Sequence, residues 1–229
     1  MAILACLAPL TTRWPARWVG HILPTVNARD HPQRLYTTRD PTRVGWYEPV
    51  PEMSRRHVLA AIAAGARSVI DVGGGASSLV DHLLDEGVER VAVVDIAEAG
   101  IDVARGRLGR RASQVGWIVG DVTELDDVGR FDVWHDRAVF HFLVDPSARE
   151  RYVGLSKRTV APGGVAIMAT FASDGPERCS GLPVQRYDPD GLARECGPGW
   201  RLAASERHVH NTPGGVEQRY LYCTFDRTG

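Results

Sequence analysis

Residues 68–84 read SVIDVGGGASSLVDHLL. An apolar run carrying one acid, Asp71, is followed by Gly73, Gly74 and Gly75, and Leu79, Val80, Leu83 and Leu84 then recur at helical spacing. The reading is strand, glycine turn, helix. Glycine lets the backbone turn sharply and approach a ligand, and the helix N-terminus offers unpaired N–H groups and partial positive charge to an anion. Several nucleotide-cofactor folds share such a turn, so alone it points to an architecture and not to a chemistry.

Downstream the pattern repeats. ERVAVVD gives a second strand ending at Asp95, followed by a helix carrying Ile101, Val103, Ala104 and Leu108. QVGWIVGD gives a third strand ending near Asp121, and RFDVWH a fourth. A helix is expected from about Asp145, with Pro146 in its first turn, to Val160. The glycines of APGG are expected to break the chain before a fifth strand, GGVAIMATF. A short helix around Asp190 to Cys196 then precedes two β-rich segments joined through NTPGG, which is turn chemistry and predicts an antiparallel hairpin. Five βα units closed by a hairpin predict an α/β fold: a Rossmann-like, doubly wound sheet of mainly parallel strands in a three-layer αβα sandwich.

Composition narrows the class. The chain has 229 residues, 44% hydrophobic and 24% charged, enough for one well-buried domain, expected over residues 44–229, after an N-terminal extension of residues 1–43. No apolar run approaches the roughly 20 residues of a membrane span, so no membrane association is expected. A formal net charge of −1 gives no global attraction to phosphate backbones, so nucleic acid is not the expected partner. Cys6, Cys179, Cys196 and Cys223 are scattered, with neither a CxxC pair nor metal-ligand spacing, so reduced thiols in a cytoplasm and no metal site are expected. Lys157 is the single lysine, which leaves lysine-based catalysis little to work with. MAILACLAPLTT at the start has an apolar core but no preceding charge and no small-x-small site, so it is not read as a secretory signal. The acid-free stretch to Arg29, with Arg13 and Arg17, would suit a transit peptide in a eukaryotic host; a docking or poorly ordered extension is the preferred reading.

Three features sharpen the cofactor reading. Asp71 with Gly73 and Gly75 makes an acidic D-x-G-x-G, and a carboxylate there would repel a pyrophosphate yet suit an ammonium group. The dinucleotide pattern fails at its third glycine, where Ser78 stands. Asp95 can accept both ribose hydroxyls, a role that dinucleotides share and that decides nothing, but Asp121, after Gly120, is placed for an adenine amino group. From Trp46 onward the chain thus resembles the class I S-adenosylmethionine-dependent methyltransferases, small bacterial members among them. The resemblance implies S-adenosylmethionine as cofactor and cofactor-binding roles for Asp71, Gly73, Gly74, Gly75, Asp95, Ile96, Asp121 and Val122. In similar enzymes an N-terminal piece folds over the cofactor, so Trp46 and Tyr47 are read as a lid; packing on the domain surface suits them equally.

The block FDVWHDRAVFHFL resembles the fourth motif of that family, where a polar residue after the strand and a histidine on the next helix border the active site. Asp136 and His141, with His135 alongside, are the catalytic candidates, and His210 joins them from the hairpin; Asp136 could instead cap the following helix. Arg137, Arg178, Cys179, Arg186, Tyr187 and His208 are candidates for substrate contacts, because loops at that sheet edge shape ligand sites. The expected reaction is methyl transfer by in-line displacement to a thiol, amine or hydroxyl of a small molecule, by a monomer or homodimer. A protein side-chain methyltransferase is the nearest alternative. An NAD-dependent oxidoreductase or a non-catalytic cofactor-binding protein are the alternatives from other classes.

Overall fold

The computed structural model describes residues 30–38 and 40–229; Cys6 and the readings made on residues 1–29 lie outside them. A seven-stranded sheet runs β3 (Val115–Val119), β2 (Arg90–Asp95), β1 (Ser68–Val72), β4 (Phe131–Arg137), β5 (Val160–Phe171), β9 (Glu217–Arg227), β8 (Trp200–Asn211). Its first five strands are parallel; β9 and β8 are antiparallel, giving the expected doubly wound sheet closed by a hairpin. A two-stranded ribbon, β6 (Arg178–Cys179) with β7 (Leu182–Pro183), lies in the loop after β5.

The near-continuous apolar runs of β1 and β2 follow from burial on both faces. On one face Ile70, Val94, Trp134 and Met168 pack against α5 (Pro146–Thr159) and α6 (Pro189–Cys196) through Tyr152, Leu155 and Leu192. On the other, Val69, Val91, Val133 and Ile167 pack against α2 (Glu52–Ala63) and α3 (Leu79–Asp85) through Val58, Leu79 and Leu83. Helix α4 (Glu98–Leu108) follows β2, and α1 (Asp30–Thr38) packs against it. Asp145 caps α5 by accepting from the Ser147 N–H, with Pro146 in the first turn as expected.

Three sequence expectations are corrected. APGG does not separate helix from strand: Val160 already pairs with Phe131, and the glycine stretch is absorbed as a register shift before Val165 pairs with Val133. The third strand is followed by turns across residues 120–130 and not by a helix, so the βα repeat is incomplete there. His141 sits on a single 3-10 turn, Phe140–Phe142, because Ala138 at φ +71° turns the chain sharply out of β4. Helices α1 and α2 are additions to the sequence reading.

Candidate functional site

Side chains alternate along a strand, so Asp71 on β1 and His135 and Arg137 on β4 share the face covered by α2 and α3. Across the sheet the register continues through Ala169 on β5 to Tyr222 and Tyr220 on β9, then to His208 and His210 on β8. The carboxyl ends of the parallel strands thereby carry a polar row over an apolar sheet, beside the glycine turn. That is where open α/β sheets bind ligands.

At the turn, Gly73 has φ +69°, and a Cβ there would fall inside the Val139 side chain. Asp71 is buried; its Oδ1 lies 2.7 Å from Nδ1 of His135, and its Oδ2 lies under Gly74. Because a carboxylate accepts, Nδ1 of His135 donates, leaving its buried Nε2 without a partner among the described residues. Asp95 accepts from the backbone N–H groups of Gly75, Ile96 and Ala97, and burial pushes its carboxyl up to about 6. Asp121 accepts from the Thr123 N–H and hydroxyl, while the Val122 side chain is in the core and leaves only its main chain near the turn.

Over this floor lies the N-terminal segment. Gln33 of α1 accepts from the Ala99 N–H, supplying a cap that α4 lacks. Tyr36 places its hydroxyl against Gly75 and Asp95, where it receives the Ala76 N–H and lies 3.2 Å from Nε1 of Trp46; its ring presses on Gly100. Burial and the Asp95 charge push the Tyr36 phenol up. Residues 44–51 then cross the site as a strap without regular structure. Arg137 Nη1 donates to the Trp46 carbonyl at 2.8 Å, and its Nη2 to Glu48 at 2.7 Å. Nε2 of His210 lies 2.8 Å from the Gly45 carbonyl, and the Ser78 hydroxyl is 3.0 Å from that of Pro49. Ser78, which breaks the dinucleotide pattern, thus tethers the strap.

Between strap and floor is a narrow cleft of about 50 Å³, lined by Trp46, Tyr47, Glu48, Ser54, Asp71, Gly73, Gly74, His135 and Arg137 among others. Ligand pockets generally run to about 300 Å³ or more, so this cleft is tighter than a cofactor and acceptor need.

Other candidates lie elsewhere. Asp136 points to the opposite face, fully buried, where it accepts from the Val139 and Phe140 N–H groups and from the Tyr152 hydroxyl; it is a cap and core anchor, and burial pushes it up to about 6. His141 is buried against Phe142 and Phe171, accepts from the Phe171 N–H, and is pushed down to about 3 by burial and by Arg137, which keeps it neutral. Arg178 donates to Gly181 within the β6–β7 ribbon, and Arg186 to Gly175 and Glu177. Cys179 is buried and raised to about 11 by that burial, and Tyr187 packs on Phe140. None of these six lines the cleft: Asp136 and His141 are buried in the core, and the ribbon ties the loop that carries the other four back on itself. His208 is half-buried, edge-on to Tyr222. Tyr36, Glu48, Ser54, Tyr220 and Tyr222 are the site residues that the sequence reading missed; the i, i+2 spacing of Tyr220 and Tyr222 was the available signal. Among the described residues no group of three or more His, Cys, Asp or Glu is placed to hold a metal ion, and no helix is long and apolar enough to cross a membrane.

Comparison with known proteins bears on the fold. Residues 69–164 match the family model described as a methyltransferase domain. No curated protein matches the chain. Among solved structures, one concerned with conversion of a disulfide bond into a thioacetal group during echinomycin biosynthesis is 20% identical, covering 86% of this chain and 91% of that one (TM-score 0.68). The Burkholderia thailandensis 1,6-didemethyltoxoflavin N1-methyltransferase, with its substrate and S-adenosylhomocysteine bound, is 24% identical over 77% of each chain (TM-score 0.64). The N-methyltransferase NodS of Bradyrhizobium japonicum, in complex with S-adenosylhomocysteine, is 16% identical over 88% of this chain and 94% of its own (TM-score 0.62). At these identities the likeness is one of fold. The donor set fits the cofactor: buried carboxylates at Asp71 and Asp95 flank a turn that side chains would fill. Residues 69–164 thus match a methyltransferase domain, and the described fold is the one shared by solved S-adenosylmethionine-dependent methyltransferases.

Proposed function

We propose that the protein methylates a small-molecule acceptor held in the cleft between the glycine turn and Arg137. The observation that carries this reading is the roof: a strap pinned by Arg137, His210 and Ser78 encloses the acceptor side, where an extended peptide would need an open groove. The bound cofactor supplies a methyl group on a sulfonium centre, which leaves as a neutral thioether.

In this reading Asp71 holds the methionyl ammonium end, Asp95 the ribose hydroxyls and Asp121 the adenine amino group, with main-chain groups of Gly73 to Gly75, Ile96 and Val122 lining the path. Trp46, Tyr47 and Tyr36 close over them and exclude water. Alignment supplies a large part of the rate, since little charge must be stabilised on the leaving sulfur. With the cofactor bound, a lone pair on the acceptor's nitrogen, oxygen or sulfur would take up the methyl group in line, and an acceptor carrying a proton would have to give it up. His135, oriented by Asp71, takes the acceptor's proton on Nε2 and passes it to water. A cytoplasmic monomer or homodimer suffices for this chemistry.

The test is transfer of labelled methyl from S-adenosylmethionine to panels of small amines, thiols, phenols and acids, against peptides and a protein extract. Label in the small molecules, lost in Asp95→Ala, is the expected result. Label confined to protein would establish the side-chain alternative.

A further inference from the structure

The strap's Glu48 occupies a place built for an anion. Its Oε1 accepts from Nη2 of Arg137 at 2.7 Å and lies 2.8 Å from Nδ1 of His210. His210 is thus flanked by two acceptors, Glu48 and the Gly45 carbonyl, a pattern that the imidazolium form meets with two donors. Arg137 lies with its guanidinium carbon 4.9 Å from the centre of the Tyr220 ring, and Tyr222 is within hydrogen-bonding reach. Burial works against the Glu48 charge, but His210 and Arg137 more than offset it and hold its carboxyl below the ordinary value.

The two halves of this cluster are unequally fixed. Arg137, Tyr220, Tyr222 and His210 stand on paired strands of the sheet, whereas Glu48 comes from a segment held by side-chain tethers. The side chains of Arg137 and Glu48 are only 11% and 14% exposed, and a buried ion pair is a poor way to gain stability alone. Buried polar atoms without partners among the described residues cluster here as well: Nε of Arg137, the Tyr220 hydroxyl and Nε2 of His135. Lifting the strap, which the size of the cleft requires before ligands enter, leaves a buried cation facing them.

We infer that Arg137 and His210 form an anion subsite for the acceptor, so that the acceptor is a small carboxylic acid whose carboxylate replaces that of Glu48. This rests on the proposed acceptor cleft. His135 and Arg137 are two residues apart on one strand face, roughly 6–7 Å, which sets the span between the acceptor's nucleophilic atom and its carboxylate. An aromatic acid whose amine, thiol or hydroxyl lies across the ring from its carboxylate meets that span, and Tyr220 and Tyr222 offer ring faces.

Calorimetric titration of the full chain with S-adenosylhomocysteine present tests this, using benzoate, phenylacetate and N-acetylglycine, each against its primary amide. Removing the internal competitor in Glu48→Gln should tighten carboxylate binding at least tenfold over the wild type and give at least a tenfold preference over the amide. That preference should persist in part when Arg137→Lys is added to Glu48→Gln and vanish with Arg137→Met. The subsite is refuted if the folded Glu48→Gln protein, still binding S-adenosylhomocysteine, prefers no carboxylate to its amide, or if the preference survives Arg137→Met. Failure to bind S-adenosylhomocysteine would instead strike at the cofactor site on which the acceptor reading rests.

Discussion

Nδ1 of His135 stands 2.7 Å from Oδ1 of Asp71, in adjacent parallel strands whose register places the two residues side by side. One carboxylate thus reaches both a histidine and the glycine turn. For an acceptor that must lose a proton, His135→Gln should lower the transfer rate on the order of 100-fold. Binding of S-adenosylhomocysteine should change less than about threefold, measured by titration alongside steady-state rates. A parallel loss of cofactor affinity would assign His135 to packing.

Asp95 makes a prediction with a definite sign. Its folded carboxyl sits at about 6, above the ordinary 3.8, so its contribution to stability is fully present below 3.8 and is lost as pH rises through about 6. Asp95→Asn should therefore unfold at higher urea than the wild type at pH 7.5, with the difference shrinking toward pH 4. The same variant should lose cofactor affinity, and wild-type affinity should fall as pH drops through about 6. A stability difference independent of pH would contradict the assignment.

Gly73→Ala places a methyl where the Val139 side chain lies and forces φ +69° on an L-residue. A loss of about 2–4 kcal/mol in urea unfolding is expected, by strain and overpacking together. Adding Val139→Ala should restore part of it, because only the contact is relieved.

Tyr36 covers Asp95 and Gly75 while bonded to Trp46, so on the proposed reading it would have to leave before ribose hydroxyls reach Asp95. Tyr36→Ala should raise the association rate of S-adenosylhomocysteine severalfold, followed by stopped-flow tryptophan fluorescence. An unchanged association rate would mean that Tyr36 does not gate the site.

On the opposite face, the Tyr152 hydroxyl meets Asp136 and lies 2.8 Å from Nε1 of Trp134. Tyr152→Phe should cost about 1–3 kcal/mol by leaving Nε1 of Trp134 unpaired and removing one of the three donors to the buried Asp136 carboxylate, with kcat unchanged. Reduced turnover at full stability would return Asp136 to the chemistry.

What the sequence made legible was local. The strand–turn–helix at Asp71 to Leu84, the acid ending β2 and the hairpin turn each announce themselves within a dozen residues. Helix α2 did not: Pro49 and Pro51 before it read as a loop, and Ser54, Val58 and Ala61 are its buried residues, a weak apolar stripe. The acceptor side was harder still, because Arg137 and Glu48 are 89 residues apart and meet only once the sheet exists. His141 and Asp136 were singled out by motif position, but strand alternation points Asp136 to the opposite face and the turn after Ala138 carries His141 into the core.

The strap and α1 lie wholly upstream of β1, while the carboxylates and histidines beneath them belong to the sheet. The cover of the proposed site and its floor are therefore written in separate stretches of chain. On the proposed reading, substitutions confined to residues 30–51 would change how the cleft is covered while the anion subsite and the catalytic floor stay intact on the sheet, so this segment is where the cover could diversify at least risk to the fold.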